Sequence, residues 1–450
     1  MAPVTGRRFS LLFCLALAAC GRSPDSPPPH REARPATAAS LPPVDVGPEI
    51  AGFYAARGNR PLWMAGRSLR PGAERAAALI AAAADHGLDP ARYGAAETRA
   101  ALDAARGGDP QALARAELLL SRGFTAFVRD LRTPASNPML QAEDGLAPSP
   151  PGARALLDGL AAAPSLDRAV ADSTRMNPLY GALQRSYARW RRGPHAPADE
   201  ALALLNLDRA RAIPAEAPRY VIVDLASARL WMVEGGRVDG PMRVIVGKPN
   251  MKTPLMASRL RYAVLNPYWN MPPDLARDRA KRVLRQGPGF LAAGGFQILS
   301  DWSDSARPIP ASAVNWRAVA SGAETLRIRQ LPGGANVMGQ IKFMMPNRLG
   351  IYLHDFPGKS LFERDDRRLS SGCVRLADAP RLARWLFRGR APAPAGAAPE
   401  QRADLPEAVP VYLTYLTALP GANGLDFQPD PYGLGSERIA ARASGVRSSS

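Results

Sequence analysis

One stretch, GIYLHDFPGKSLFERDDRRLSSGCVRL at residues 350–376, carries the strongest signal for fold and chemistry. His354 ends a short apolar run that predicts a strand, and Cys373 follows nineteen residues later in a Ser-Ser-Gly-Cys-Val-Arg turn. His354 is the only histidine after His195, and Cys373 is the only cysteine after Cys20. A thiol and an imidazole that stand alone in this way suggest a nucleophile and its base.

The first nineteen residues indicate export. Arg7 and Arg8 form a positively charged start, and the apolar run of residues 11–19 is too short for a membrane-spanning helix. Small residues directly before Cys20 resemble a bacterial lipobox, so Cys20 is expected to be lipidated, with an ordinary secretory signal as the alternative. Both interpretations place the protein in the periplasm. The lipid would hold it to a membrane, and Gly21 favours the outer membrane.

Export makes the cysteine count informative. Cys14 would leave with the signal and Cys20 would carry lipid, which leaves Cys373 as the only free thiol. A single thiol excludes an internal disulfide and a cysteine-ligated zinc site. The histidines are far apart in sequence, so a His-rich metal site is not expected either. We expect neither a metal nor another cofactor.

The charge balance indicates affinity for anionic surfaces. The formal net charge is +18, but the positive charges are scattered arginines rather than blocks. No motif that reads DNA or RNA accompanies them, so nucleic acid is not an expected partner. Membrane headgroups and an acidic cell-wall polymer both fit this surface.

Composition and periodicity divide the 450 residues into several segments, as expected for a chain too long for one core. The predicted fold class is α+β, with an all-helical region followed by a mostly β domain. The segments are a signal peptide (1–19), a Pro-rich tether (20–48), a helical scaffold domain (49–193), a connecting helix (194–218), a β domain (219–419) with a partly helical insertion (266–322), and a C-terminal tail (420–450).

The change of period marks the boundary between the helical and β regions. Apolar residues recur every three or four positions after Asp109-Pro110, a pair typical of a helix start, although Glu117 interrupts the stripe. His86 is expected to be a core or cap residue. From Tyr220 the period is two, which predicts strands. They are expected at 220–225, 229–233, 242–246, 259–265, 325–329, 339–344, 350–354 and 409–416.

The residues around the thiol and imidazole suit acyl transfer. Gly372 allows a sharp turn, so that amides near Cys373 can point at a developing oxyanion. His354 needs an acceptor to fix its tautomer, and either the backbone carbonyl near Asp355 or its side chain could serve. These parts predict attack on a peptide carbonyl, a thioester, and a second acceptor. A buried cysteine with an unrelated strand-end histidine is the structural alternative.

The spacing from His354 to Ser-Ser-Gly-Cys-Val-Arg resembles the catalytic motif of the L,D-transpeptidases, the YkuD-type peptidoglycan cross-linkers. The resemblance covers about residues 219–419. Within it, the sequence is similar to the large, YcbB-like branch of the family. That branch has a helical scaffold and a substrate-capping insertion, which implies that 219–419 is the catalytic domain and 266–322 its cap. The blocks that carry the resemblance are 220–233, the Gly-x-x-x-x-x-Thr-Pro turn at 247–254, 264–273, 332–343 and 351–355.

The resemblance implies roles for the residues of the central stretch. Cys373 would be the nucleophile, and His354 its general base and later acid. Backbone amides of Gly372 and Cys373 would form the oxyanion hole, with Tyr352 at its border. The group that orients His354 would be Asp355, through its backbone.

Other positions that match the family are implied to contact the loop or the substrate. Ser371 and Arg375 would hold the loop and bind substrate, although a structural pair between Arg375 and a carboxylate such as Asp378 is an alternative. Trp269 and Asn270 would line the cleft beneath the cap, with a plain core role for Trp269 as the alternative.

The function implied by the resemblance is the formation of 3→3 cross-links between peptidoglycan stem peptides through a Cys373 thioester. Carbapenem-type inhibitors would acylate the same thiol. Water or a protein lysine could resolve the thioester instead, giving an L,D-carboxypeptidase or protein attachment to the wall. A Cys-His wall peptidase fits poorly, because those with Cys before His have the opposite order. A non-catalytic wall scaffold is the remaining alternative.

One departure from the family pattern concerns wall binding. Such enzymes often carry a small peptidoglycan-binding module before the catalytic domain. Only residues 191–199 lie between the last scaffold helix and the connecting helix, which is too short for a module. Wall targeting would then depend on the lipid anchor, the basic surface or the cap.

Overall fold

The structure is a computed structural model that describes residues 44–443. The predicted signal peptide, most of the tether, the lipidation site Cys20 and the last seven residues of the predicted tail lie outside the described residues. Within 44–443, every helix falls short of the length and apolar character that crossing a bilayer requires.

The first half of the described chain is helical and has its own apolar core. Its α-helices are α1 (Gly47–Ala56), α2 (Pro71–Ala81), α3 (Ala95–Ala105), α4 (Pro110–Arg132), α5 (Ala153–Ala162), α6 (Leu166–Ser173), α7 (Pro178–Trp190) and α8 (Pro197–Arg211). Between them lie 3-10 turns at Ala82–His86 and Pro90–Tyr93, and the short strands β1 (Met64–Ala65), β2 (Ser68–Leu69) and β3 (Leu140–Gln141).

Helix α4 is the central element of this region. It begins as its sequence predicts, because the Asp109 carboxylate accepts a hydrogen bond from the Ala112 N–H at 2.7 Å and Pro110 occupies the first turn. Glu117, which interrupts the apolar stripe, is buried. Its carboxylate accepts hydrogen bonds from the Tyr54 hydroxyl at 2.6 Å and from the Trp63 N–H at 3.0 Å. Glu117 is therefore a buried acceptor whose hydrogen bonds are made, and it connects α1 and the loop after α1 to α4.

The second half is mostly β, with helices at its surface and in the insertion. Its strands are β4 (Arg219–Asp224), β5 (Arg229–Glu234), β6 (Arg237–Gly247), β7 (Met256–Leu265), β8 (Trp269–Asn270), β9 (Phe296–Leu299), β10 (Pro308–Ile309), β11 (Arg327–Gln330), β12 (Ile341–Met344), β13 (Leu353–His354), β14 (Arg368–Ser370), β15 (Val374–Leu376), β16 (Gln401–Thr414), β17 (Ala418–Gly421) and β18 (Gly424–Phe427). Its helices are α9 (Pro273–Gln286), α10 (Gly289–Ala293), α11 (Trp316–Ser321), α12 (Ala379–Leu386) and α13 (Leu434–Ala443), with 3-10 turns at Ala311–Ala313 and Lys359–Glu363.

One large sheet forms the core of this domain. Its strand order is β12-β13-β15-β6-β5-β4-β16-β7-β3, and β12 also pairs with β7, so that the sheet closes on itself. Parallel pairing of β13 with β15 places the two ends of the 350–376 stretch on neighbouring strands. Strand β6 begins five residues before the predicted start at Met242, and β13 is shorter than predicted because residues 350–352 lie outside it.

The insertion contains a sheet that the sequence did not predict. Strands β8 to β11 form a four-stranded antiparallel sheet that packs with α9, α10 and α11 around a separate apolar core. The strand predicted at 325–329 is β11, which belongs to this sheet, so the insertion extends past the predicted end at 322. Periodicity reveals that a segment is a strand, but not which sheet it joins.

The segment predicted as a C-terminal tail is folded as far as residue 443. Strands β17 and β18 form a hairpin whose Phe427 ring packs edge-on against Trp190 of α7, with 5.6 Å between ring centroids. Farther along, the Tyr432 hydroxyl donates to the Gly247 carbonyl at 2.6 Å. The end of the described chain thus contacts both the helical region and the β domain.

Candidate active site

The candidate site lies where β13 and β15 run side by side. His354 is opposite Arg375 in the strand register, and the Val374 N–H donates to the Tyr352 carbonyl at 3.1 Å. Because side chains alternate along an extended chain, Tyr352 and His354 share one face with Cys373 and Arg375. The structure therefore brings four of the predicted site residues together on a single face of the sheet.

Three hydrogen bonds fix the loop that carries Cys373. The Ser370 hydroxyl donates to the Cys373 carbonyl at 2.6 Å and accepts from the Gly372 N–H at 3.1 Å. On the other side, the Thr253 hydroxyl donates to the Gly372 carbonyl at 2.6 Å. Gly372 has φ +118°, a conformation that favours glycine. The thiol is thus presented from a backbone that is held at both flanks.

The 247–254 turn holds this loop through the side chain of Thr253. Thr253 is buried, and its hydroxyl also accepts from the Gly247 N–H at 2.9 Å. A Cβ at Gly247 would lie 2.2 Å from the Met251 carbonyl oxygen, so the turn requires glycine there. The Gly-x-x-x-x-x-Thr-Pro pattern predicted the turn but not its contact with the Cys373 loop. Nothing in the sequence signalled Tyr432, which holds the Gly247 carbonyl from far along the chain.

The structure changes the prediction for the two serines before Gly372. Ser371 was expected to hold the loop, but its side chain is exposed. Ser370 is buried and makes the contacts that define the loop. Two adjacent serines alternate between inside and outside, and the sequence alone does not show which one points inward.

The predicted oxyanion hole is only partly available. The Gly372 N–H is already donated to Ser370, whereas the Cys373 N–H has no acceptor among residues 44–443. Against the effect of burial, the backbone N–H and the hydroxyl of Tyr352 both lower the pKa of the Cys373 thiol, as donors near the sulfur do. Cys373 N–H and Tyr352 are therefore the donors that can face a developing oxyanion, in place of the predicted pair of loop amides.

The Asp355 backbone orients the histidine. His354 Nδ1 lies 2.6 Å from the Asp355 carbonyl oxygen, which assigns the proton to Nδ1 and leaves Nε2 as the basic nitrogen. The Asp355 carboxylate is engaged elsewhere, because it accepts from Lys359 Nζ at 2.7 Å and from the Gln340 N–H at 3.1 Å. Of the two possibilities the sequence left open, the backbone carbonyl is the one that the structure forms.

Burial keeps both members of the pair uncharged at neutral pH. Burial lowers the pKa of His354 to about 3, with help from the positive charges of Arg375 and Lys342 and against the Asp355 carbonyl. Burial also raises the pKa of the Cys373 thiol, although Tyr352 and Arg375 act in the opposite direction. The resting state is therefore a thiol, whose sulfur lies 3.7 Å from the Gly350 carbonyl oxygen, and a neutral imidazole on the same face of the sheet. Such a pair works by general-base catalysis rather than as a preformed ion pair.

Arg375 does not form the alternative pair with Asp378. The Asp378 carboxylate caps α12 by accepting from the Arg381 N–H at 2.9 Å. The Arg375 guanidinium instead stacks over the Phe356 ring at 4.3 Å, and its buried Nε lacks a hydrogen-bond partner among residues 44–443. Its charge is thus directed at the reacting pair, where it stabilises a thiolate.

Trp269 and Asn270 lie in β8, at the start of the insertion. The Trp269 ring packs edge-on against Phe296 at 6.2 Å and joins the core of the insertion, which favours the alternative core role. Asn270 is exposed and pairs with Arg329 in the insertion sheet. Cleft lining by these two residues stays a prediction. Within residues 44–443, no three His, Cys, Asp or Glu side chains cluster so as to hold a metal ion.

Two family models match the described chain. Residues 48–186 match the family model of the Scaffold domain, and residues 218–394 match that of the L,D-transpeptidase catalytic domain, YkuD. The second match contains all the residues of the β13–β15 site.

Individual relatives match part of the chain. A Haemophilus influenzae protein that carries the provisional name of L,D-transpeptidase is 31% identical over 235 residues, which are 51% of this chain and 47% of that protein. Two solved structures each cover 45% of this chain and 60% of their own: an L,D-transpeptidase from Mycobacterium smegmatis (13% identity, TM-score 0.21) and LdtMt1 in complex with imipenem (12%, TM-score 0.22). The chain thus spans about half the length of the curated relative. Residues 48–186 are thus similar to the Scaffold domain, and residues 218–394 are similar to the L,D-transpeptidase catalytic domain of the YkuD type.

Proposed function

We propose that this protein is a peptidoglycan L,D-transpeptidase that forms 3→3 cross-links through a Cys373 thioester. The observation that carries the proposal is the placement of Cys373 and His354 on one face of adjacent strands inside the region that matches the catalytic domain. The sulfur has a neutral base on the same face, donors around it, and a backbone held by Ser370 and Thr253.

In the first half-reaction, a tetrapeptide stem is the donor. His354 Nε2 takes the thiol proton as the Cys373 sulfur attacks the carbonyl carbon of the L-centre that precedes the terminal D-residue. The Cys373 N–H and Tyr352 stabilise the oxyanion. When the C–N bond breaks, the imidazolium protonates the leaving amine, and the terminal D-amino acid departs from a thioester.

In the second half-reaction, an amine on a neighbouring stem, that of diaminopimelate, attacks the thioester. Its proton passes to His354 Nε2, the C–S bond breaks, and the thiol regains the proton. The products are a new amide and free enzyme. Water as the acceptor would give a carboxypeptidase and a protein lysine would give wall attachment, so the acceptor decides among these activities.

The test is a cross-linking assay with a disaccharide-tetrapeptide substrate and mass spectrometry of the products. The full chain is expected to release one D-amino acid for each cross-linked dimer. Cys373→Ala should abolish the dimer, and His354→Ala should reduce its rate by about a hundredfold or more, as expected when a general base is lost. Undiminished dimer with Cys373→Ala would disprove the proposal, and shortened tripeptide without dimer would identify the carboxypeptidase.

The proposal also covers inhibitors and location. A carbapenem is a strained acyl donor, and we expect the Cys373 sulfur to open its ring and retain it as an adduct; the imipenem complex above concerns another protein. Export and lipidation at Cys20 would place the enzyme in the periplasm against a membrane. That placement is supported by the pattern of the first twenty residues alone.

A further inference from the structure

His354 has a cationic residue on each neighbouring strand. Arg375 lies opposite it on β15, and Lys342 lies opposite it on β12. Residues that are paired in register point to the same face of a sheet, so both positive charges flank the imidazole. Two cations beside a base that must accept a proton would oppose catalysis unless one of them were compensated.

Glu400 compensates one of these charges. Lys342 Nζ lies 3.2 Å from both carboxylate oxygens of Glu400, and the Lys342 side chain is only 12% exposed. Arg375, by contrast, has no carboxylate partner among the described residues. The negative charge of Glu400 also faces Tyr352, whose hydroxyl lies at the Cys373 sulfur. The carboxylate is therefore part of the electrostatic environment of the pair without touching either member.

The backbone holds Glu400 in an unusual conformation. Its φ is +55°, which is uncommon for a residue other than glycine and costs free energy. The Glu400 N–H donates to the Asn266 carbonyl at 3.0 Å, and its carboxylate accepts from the Tyr268 N–H at 2.5 Å. Asn266 itself has φ +48° and donates its N–H to the Gln340 carbonyl. Glu400 thereby joins the first residues of the insertion to the strand that carries Lys342.

We propose that Glu400 is a positioning residue of the Cys373–His354 pair, which it serves by neutralising Lys342 and by fixing the start of the insertion to β12. This inference rests on the proposed function, since it assigns a role to Glu400 in the same site. The charged and titratable groups that face His354 are Lys342 from β12, Arg375 from β15, and Tyr352, Cys373 and Asp355 from its own strand pair.

The effect of the Glu400 charge on the ionisation of Cys373 has a defined direction. Removal of the Glu400 charge leaves Lys342 uncompensated, which favours thiolate and disfavours imidazolium. Cys373 should then ionise at lower pH. Removal of Lys342 alone should have the opposite effect. Removal of both charges should return Cys373 close to its starting behaviour, whereas a mere loosening of the insertion would not be reversed in this way.

The experiment measures the rate of Cys373 alkylation by iodoacetamide against pH in the full chain, with the modified residue located by peptide mass. Glu400→Gln is expected to move the midpoint to lower pH and to raise the rate at pH 7 about threefold, the size of a screened interaction between partly exposed charges. Lys342→Met should slow alkylation, and the double variant should match the parent. Glu324→Gln, which removes an exposed carboxylate of the insertion, is the matched control and should change nothing.

An unchanged midpoint in Glu400→Gln would overturn the inference, and so would a double variant that stays shifted like Glu400→Gln. Alkylation requires no turnover. The experiment therefore gives its answer even if the cross-linking assay fails, so that failure of this inference and failure of the proposed function are distinguishable.

Discussion

At the scale of single residues, the two members of the pair, Cys373 and His354, are both uncharged at neutral pH. A solitary thiol and a solitary imidazole suggested Cys373 and His354, because the expected export would leave no other free thiol, and the resemblance of the flanking blocks to a known family strengthened the prediction. The sequence could not show which group orients His354, because the carbonyl and the carboxylate of Asp355 belong to the same residue. Only the fold, which engages the carboxylate with Lys359, separates them.

The first prediction concerns pH. His354 must be neutral to accept the thiol proton, and burial lowers its pKa from 6.5 to about 3. We therefore expect the acylation rate to stay level from pH 7 to 5 and to fall only below about pH 4. Single-turnover acylation after a pH jump measures this rate. An acid limb near pH 6.5 would show that His354 is not held neutral.

The pH experiment needs a control for stability. The unfolded chain binds a proton at His354 below about pH 6.5, whereas the folded chain does so only near 3, so stability decreases as pH falls between these values. At pH 5 this one group would cost about 2 kcal/mol. Samples returned to pH 7 should recover full activity, which separates titration of the base from unfolding.

The second prediction distinguishes the two serines of the loop. Ser370→Ala removes both a donor to the Cys373 carbonyl and an acceptor for the Gly372 N–H, so kcat/KM should fall about 10- to 100-fold, as a misplaced nucleophile would. Ser371→Ala, at an exposed side chain, is the matched control and should change kcat/KM less than threefold. Steady-state kinetics on one substrate compares them, and a larger loss for Ser371→Ala would restore the original prediction.

At the scale of elements, local signals in the sequence were reliable and pairing signals were not. Asp109 and Pro110 predicted the start of α4, because capping involves neighbours in the chain. The strand at 325–329 was predicted as a strand but placed outside the insertion, whose sheet it joins. Its partners, β8 and β9, are distant in sequence and short, so their pairing leaves no local pattern.

The third prediction concerns the buried acceptor in α4. Glu117→Ala would leave the buried Leu62 and Trp63 N–H groups without their acceptor, so the free energy of unfolding should fall by about 2–4 kcal/mol. Glu74→Ala, which removes an exposed carboxylate with surface ion pairs, should cost less than about 1 kcal/mol. Chemical denaturation of both variants measures the difference, and equal losses would contradict the role of Glu117.

At the scale of the whole molecule, the helical and β parts are connected at several points. Strand β3, which follows α4, pairs with β7 of the large sheet. In α8, the side-chain Oδ1 of Asn206 accepts a hydrogen bond from the Thr417 N–H at 2.7 Å. Contacts between residues more than a hundred positions apart left no trace in composition or period. For that reason residues 420–450 were predicted from the sequence only as a tail.

The fourth prediction tests whether the end of the chain supports the site. Tyr432→Phe removes the donor to Gly247, whose N–H holds Thr253 under the Cys373 loop, so kcat/KM should fall about 3- to 10-fold. Stability should fall by about 1 kcal/mol. Tyr262→Phe, a tyrosine stacked on Arg402 outside this network, is the control. Unchanged kinetics for Tyr432→Phe would show that the C-terminal segment does not support the site.

The central claim is that Cys373 forms the acyl-enzyme, and intact-protein mass spectrometry of a rapidly quenched reaction with a tetrapeptide donor tests it most directly. We predict a mass increase equal to the mass of the donor minus that of the free terminal D-amino acid that it releases. Digestion should place this adduct on Cys373, and it should be absent from Cys373→Ala. Turnover with no adduct, or an adduct on any other residue, would contradict the account.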